Sequence, residues 1–395
     1  MKRTIAIVGA SLAGLSAARA LRDQSYDGTI IAIGAERHEP YDRPPLSKDF
    51  LTGAMAAADL ALGAPDEDLD VQWRLGVPAV RLSAADRSIT LADGDEIRVD
   101  GVIVATGSRA RPLPGTGGLE GVHTLRTLDD AIALRSDLTA GRRLVVIGAG
   151  FIGAEVASSA RSLDLDVTVV EALPTPLAGA LGVEMGAICA GLHADHGVRL
   201  LTGVGVARLA GSSRVEAVEL ADGTRLPADV VVVGIGAQPN VEWLANSGLE
   251  IAGGVVTDAT GATNLPGVVA TGDCAVSYRP YTGASVRNEH WTHALEHPAT
   301  AVATLLGSAT APRRPGSDVP YFWSDQYGVR IQFAGHREEG DPVRVVEGDP
   351  DQRSFLAVYE RDGRPVAVLG LNQPRLFTRW RRQLRTPDQA ALSAS

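Results

Sequence analysis

Three observations predict an α/β fold with two Rossmann-like dinucleotide-binding units and a small α+β C-terminal domain. A pattern of strand, glycine-rich turn, helix and strand occurs twice, with Gly9 and Gly148 139 positions apart. Each copy runs on through short strand-like segments to an apolar strand, and the chain after Ala311–Ser317 turns to short alternating strands and a basic helix. At 395 residues the chain is too long for one ordinary core, so two or three domains are expected.

The first copy opens on the β-branched run Ile5-Ala6-Ile7-Val8 and turns at Gly9-Ala10-Ser11-Leu12-Ala13-Gly14. A helical pattern follows to Leu21, then the strand Thr29–Ile33. Met1-Lys2-Arg3 before an apolar run superficially resembles a signal peptide, but Gly9, Arg19 and Arg22 interrupt it, so a buried first strand is the better reading. The second copy runs from Arg143–Ile147 through Gly148-Ala149-Gly150-Phe151-Ile152-Gly153 and a helix to Leu163, then the strand Asp166–Val170. Hairpin arms are expected at Asp86–Leu91 and Val215–Leu220, with turns at Asp93-Gly94 and Asp222-Gly223. The closing apolar strands lie in Val99–Gly107 and Asp229–Gly236. Past the polar link, strands are expected near Arg330–Phe333, Ser354–Glu360 and Pro365–Leu371, then a helix carrying Arg375, Arg379, Arg381, Arg382 and Arg385. The expected division is 1–112 with 236–310, then 113–235, then 311–395.

Composition removes several function classes. Apolar residues make up 45% and charged residues 21%, the balance of a globular protein. A net charge of −10 argues against nucleic-acid binding, whose footprint is basic. No run of 18 apolar residues occurs, so no membrane helix is expected. Cys189 and Cys274 are 85 positions apart and form no C-x-x-C motif, so neither a dithiol centre nor a metal site is expected, and a cytoplasmic setting fits.

The second glycine turn carries a complete dinucleotide fingerprint. Gly148 permits the tight turn, Gly150 lets backbone approach a pyrophosphate, and Gly153 lets helix and strand pack closely. The helix N-terminus attracts phosphate, and Glu171, 23 positions on, can accept ribose hydroxyls at the end of the next strand. In the first turn Ser11 replaces the middle glycine, and Ala35 stands where the acidic residue is expected, so that role passes to Glu36.

Nearly the whole chain resembles the FAD-containing ferredoxin reductases of bacterial haem monooxygenases and ring-hydroxylating dioxygenases, which lie close to the rubredoxin reductases. The resemblance rests on Pro40-Tyr41-Asp42-Arg43-Pro44-Pro45-Leu46-Ser47-Lys48, Ala105-Thr106-Gly107, Gly234-Ile235-Gly236-Ala237-Gln238-Pro239-Asn240 and Ala270-Thr271-Gly272-Asp273. Arg287-Asn288-Glu289-His290-Trp291 and Tyr321-Phe322-Trp323-Ser324-Asp325-Gln326 are its most specific segments. It implies a glutathione-reductase-like fold, FAD and NADH as cofactors, and a small iron–sulfur ferredoxin or a rubredoxin as partner, with monomer or homodimer left open. Gly9, Ala13 and Gly14 would line the FAD pyrophosphate, Lys48 and Arg126 would hold the flavin end and phosphates, and Val80 would contact the adenine. Asp273 would bind the ribityl chain and Trp291 would lie against the isoalloxazine. Glu36, Arg43, Thr106, Gly107 and Gly236 would complete the FAD side. Gly148, Gly150, Ile152, Gly153, Glu155, Glu171 and Gly234 would hold NADH. Lys48 would stabilise negative charge on the reduced flavin, and Glu155 would orient Lys48.

Some positions depart from the family pattern. Ala178, Gly179 and Ala180 stand where an Arg is common, so weaker NADH binding is expected, and Glu296-His297-Pro298 replaces a usual Gln-Gly. His290, His293 and His297 read as one helix face near the cofactor rather than as metal ligands. Within the same class, a disulfide reductase or NADH oxidase would need a redox Cys in the first domain, and none occurs before Cys189. From another class, a cofactor-binding interaction protein would lack rapid NADH turnover.

Overall fold

The computed structural model describes residues 3–384 except 65, 116–117, 280 and 309–318. The link Ala311–Ser317 with Arg313 and Arg314, the last arginine of the basic helix, Arg385, and the tail Gln389–Ser395 lie outside the described residues. The chain forms two compact units, Met1–Asp42 with Ala61–Arg109 and Gln238–Phe322, and Arg43–Leu60 with Ala110–Ala237 and Trp323–Ser395.

The first unit is built on a five-stranded parallel sheet in the order Val268–Ala270, Gly101–Val104, Thr4–Val8, Thr29–Gly34, Val71–Leu75. Its strands are nearly continuous in Val and Ile because helices cover both faces of such a sheet, and Ile7, Ile30, Ile103 and Val104 are buried. In register, Val8 lies between Ile33 and Val104, so the strand ends converge at the first glycine turn. The helix Leu12–Asp23 leaves that turn and packs against Trp291–Leu306. A side sheet pairs Ala79–Ser83, Ser88–Leu91 and Glu96–Arg98. Its middle strand starts at Ser88, two residues later than the sequence suggests, because Arg87 adopts a left-handed φ of 51° in the preceding turn.

The second unit repeats the plan. Its parallel sheet runs Arg199–Thr202, Asp166–Glu171, Arg143–Ile147, Val230–Val233, Val122–His123, with the hairpin sheet Val206–Gly211, Val215–Leu220, Arg225–Pro227 beside it. The C-terminal sheet is ordered Tyr321–Gln326, Val329–Gly335, Arg364–Leu371, Ser354–Arg361, Val343–Asp349, and the last four strands are antiparallel. The helix Pro374–Leu384 lies across this sheet with Phe377 buried. A Cβ on Gly370 would come within 3.2 Å of Phe377, which explains a glycine inside a strand. Among the described residues no helix is long and apolar enough to cross a membrane.

Candidate active site

Both glycine turns are shaped by backbone crowding. At Gly9, φ is +118° and an added Cβ would sit 2.0 Å from the Ala105 carbonyl oxygen; at Gly148, φ is +100° and the distance to the Gly234 oxygen would be 2.3 Å. Gly14 and Gly153 meet the oxygens of Gly9 and Gly148 at 1.9 and 2.1 Å in the same test, so each helix rests directly on its turn. Gly150 differs, because its Cβ would meet nothing within 4 Å. This open space lies at the start of the helix Phe151–Ser162, whose first N–H groups have no helical acceptor, and it is the cradle a pyrophosphate needs. A dinucleotide fits the residues present.

In the first unit the predicted residues gather along the C-terminal edge of the parallel sheet. Thr106 donates to the Asn240 carbonyl at 2.6 Å, and the Asn240 amide returns a bond to the Thr106 carbonyl at 3.0 Å, which fixes the turn through Gly107. Asp273 is buried and accepts from Ser108 at 3.3 Å. Ala13 is buried on the helix that leaves the turn. Trp291 opens its helix and donates Nε1–H to Asp42 at 2.7 Å. Glu36 accepts the Tyr41 hydroxyl at 2.5 Å, which holds its carboxylate just past the second strand. Val80 is 48% exposed on the side sheet.

In the second unit both Glu171 oxygens accept backbone N–H groups, from Ala149 and Leu173, each at 2.9 Å. The carboxylate is thereby locked to the glycine turn. Ile152 is exposed in the first turn of the adjoining helix, and Gly236 adopts a φ of +107° and accepts from the Arg111 amide at 2.9 Å. Arg43 donates to the Arg126 carbonyl at 2.7 Å, while the Arg126 amide caps onto Asp130.

Glu155 lies further along the same helix and is only 3% exposed. One of its oxygens accepts Lys48 Nζ at 2.7 Å and Ser47 Oγ at 2.5 Å; the other accepts Ser324 Oγ at 2.6 Å. Lys48 is 17% exposed and also donates to the Pro44 carbonyl at 3.0 Å. A buried carboxylate is tolerated only when its charge and lone pairs are met, and here three donors meet them. The segment Pro44–Ser47 reaches this position as a short 3₁₀ turn with proline at its start. Lys48 and Glu155 are thus brought together as expected. Ser47 and Ser324 complete the set; both lie inside the motifs Pro40–Lys48 and Tyr321–Gln326, yet no spacing signals a contact between positions 155 and 324.

Three findings add to the sequence reading. His290 precedes its helix as the N-cap residue, so it does not share a helix face with His293 and His297. Those two are buried with ring centroids 4.6 Å apart, and the Arg279 guanidinium lies 2.6 Å from His293 Nε2. Burial first, and the Arg279 charge with it, pushes the His297 ring down to about 4 and His293 well below its ordinary value. At Ala178–Ala180, Arg337 donates to the carbonyls of Ala178 and Gly179 at 3.1 and 3.0 Å. Cys189 and Cys274 are both free and buried, and burial pushes the Cys189 thiol up to about 12.

The sequence profile of the pyridine nucleotide-disulphide oxidoreductase family matches residues 3–297, and the reductase C-terminal profile matches 321–394. The chain is 38% identical over 397 residues to rhodocoxin reductase of Rhodococcus erythropolis, covering 98% of this chain and 92% of that protein. It is 40% identical to the ferredoxin–NAD(+) reductase component of the biphenyl dioxygenase system of Paraburkholderia xenovorans, covering 95% and 91%. Among solved structures, a chain of the covalent putidaredoxin reductase–putidaredoxin complex superposes with a TM-score of 0.93 at 34% identity, covering 100% of this chain and 96% of that one.

Proposed function

The chain belongs to the pyridine nucleotide-disulphide oxidoreductase family, and we propose that it is a cytoplasmic, FAD-dependent NADH:ferredoxin reductase serving a haem monooxygenase or dioxygenase. The observation that carries this reading is the ion pair of Lys48 with buried Glu155, which stands on the helix that opens at the Gly150 cradle. When bound, FAD accepts a hydride from NADH and releases the two electrons singly, which matches a two-electron donor to one-electron iron–sulfur acceptors. Lys48 supplies fixed positive charge for the flavin side of the reaction, and Glu155, pinned by Ser47 and Ser324, holds that ammonium in place. Gly9, Ala13, Gly14, Glu36, Val80, Thr106, Gly107, Asp273 and Trp291 serve FAD with Arg43, Arg126 and Gly236; Gly148, Gly150, Ile152, Gly153, Glu171 and Gly234 serve NADH. The exposed Arg375, Arg379 and Arg382 offer a positive surface to an acidic partner despite the negative chain.

Purified protein should be yellow and release FAD, not FMN, on heating; colourless protein that takes up no FAD contradicts the reading. Glu171 should also set the nicotinamide choice. Its carboxylate faces the place of a 2′-phosphate, and like charges near 4 Å cost up to about 4 kcal/mol at an effective dielectric near 20. With screening, NADH should exceed NADPH about 30- to 150-fold in kcat/KM. Equal efficiency would place Glu171 outside the ribose site.

No dithiol takes part in this scheme. Both thiols are buried and 85 positions apart in sequence. Cys189→Ser combined with Cys274→Ser should therefore leave NADH-to-ferricyanide activity largely intact. Abolished activity with FAD still bound would favour a disulfide reductase instead.

A further inference from the structure

In an open parallel sheet a ligand lies outside the carboxyl ends of the strands. On the reductase reading, the adenosine ribose of NADH meets Glu171, the last residue of the strand Asp166–Glu171. The segment 172–181 leaves the strand at that point and flanks the same site. Its Leu173 side chain is 57% exposed, and the Leu173 N–H is bonded to the Glu171 carboxylate.

This segment has little with which to hold itself. It carries no charged side chain, and Thr175 is its only polar one. Leu177 adopts a left-handed φ of 59°, which a residue other than glycine keeps only where its surroundings hold it there. The helix Ala178–Leu181 is a single turn, so most of its carbonyls must be met from outside.

They are met from the C-terminal sheet. Arg337, just past the strand Val329–Gly335, donates from Nη1 to the carbonyls of Ala178 and Gly179 at 3.1 and 3.0 Å. Its Nη2 donates to the Glu338 carbonyl at 3.2 Å, which fixes the guanidinium plane. Tyr359, on the strand Ser354–Arg361 and only 1% exposed, donates its hydroxyl to the Leu181 carbonyl at 2.6 Å. Burial pushes the Tyr359 phenol up, and a guanidinium keeps its charge, so both remain donors. At the start of the segment the Gly203 amide donates to the Leu173 carbonyl at 3.0 Å. All of these residues lie in the second unit. The segment is fixed at both ends, and the far end is held by a sheet that carries no dinucleotide motif.

We propose that the C-terminal sheet sets NADH affinity from outside the dinucleotide fold: Arg337 and Tyr359 are positioning residues that keep segment 172–181 in the arrangement that receives the adenosine half. The inference rests on the reductase reading and on Glu171 as the ribose acceptor. A ligand that needs one arrangement of a segment binds with an apparent affinity reduced by the fraction of molecules that hold it. Loosening the segment therefore weakens binding and leaves the chemistry of bound NADH as it was.

Arg337→Met keeps the length of the side chain and removes its donors. In FAD-loaded protein it should weaken NAD+ binding, read by calorimetry, about tenfold, the scale of one lost hydrogen bond to a charged group. KM for NADH should rise with it, while kcat for ferricyanide reduction at saturating NADH keeps its wild-type value. Backbone amides of 173–182 should exchange with deuterium faster in the free variant and regain wild-type protection when NAD+ saturates it. Arg337→Lys, which keeps the charge on a point donor, should recover part of the affinity and part of the protection. Tyr359→Phe should act in the same direction but more weakly, because a neutral bond is lost. Wild-type NAD+ affinity in Arg337→Met overturns the proposal, and so does unchanged exchange in 173–182. Loss of kcat or of FAD along with affinity also overturns it, because Arg337 would then support the unit as a whole. If the unaltered protein neither binds NAD+ nor is bleached by NADH, the reductase reading falls instead.

Discussion

Glu155→Ala should cost about 3 kcal/mol of stability in the second unit, the low end for breaking a buried ion pair, because Lys48 keeps some solvent contact. The Lys48 ammonium would retain only the Pro44 carbonyl of its protein acceptors, and the Ser47 and Ser324 hydroxyls would lose theirs. NADH should then reduce the flavin about 10²-fold more slowly, the scale on which a single preorganised electrostatic contact is lost. The double variant Glu155→Gln with Lys48→Met removes both charges and keeps the volumes. It should recover much of the stability but none of the rate, because the two effects have different origins. Urea unfolding and stopped-flow bleaching of the flavin measure them separately. Single variants with wild-type stability and rate would show that the pair is ornamental.

Acid should destabilise the protein well above the carboxylate range. His193, His290, His293 and His297 are held neutral, with His193, His290 and His297 pushed down to about 4 and His293 well below its ordinary value, each mainly by burial. An unfolded chain protonates histidine near pH 6.5, so between pH 6.5 and 4 the unfolded state binds more protons and stability falls as pH falls. Each ring is worth about 1.4 kcal/mol per pH unit inside that window. From pH 7 to 5 the first unit, with three such rings, should lose about 6 kcal/mol, and the second, with one, about 2 kcal/mol. Denaturation midpoints at the two pH values check this. His290→Gln, His293→Gln and His297→Gln together should flatten the dependence of the first unit. Equal midpoints at pH 5 and 7 would mean that these rings already titrate normally.

The parts of this molecule legible from sequence are those where local chemistry dictates geometry. Gly9, Gly14, Gly148 and Gly153 announce their turns because a Cβ at any of them would strike a carbonyl oxygen. The strands at Thr4–Val8 and Val230–Val233 announce burial because they are unbroken apolar runs. What could not be read depends on long-range pairing. Nothing near Glu155 shows that Ser324, 169 positions away, donates to it. Nothing near Ala178 shows that Arg337, 159 positions away, donates to its carbonyl. The i, i+3, i+7 spacing of the three histidines suggested one face, but a period says nothing about where a helix begins, and this one begins after His290. Ser88 likewise starts its strand late because of one left-handed residue that composition does not disclose.

The central claim is that this chain carries electrons from NADH through FAD to a one-electron iron–sulfur protein. An anaerobic titration tests it most directly: NADH is added stepwise to a catalytic amount of the FAD-loaded protein with an excess of oxidised [2Fe–2S] ferredoxin, and the ferredoxin spectrum is followed. Two ferredoxins reduced per NADH, dependent on bound FAD, is the predicted result. Flavin that bleaches with NADH while the ferredoxin stays oxidised, with any ferredoxin of the oxygenase type tried, would contradict it.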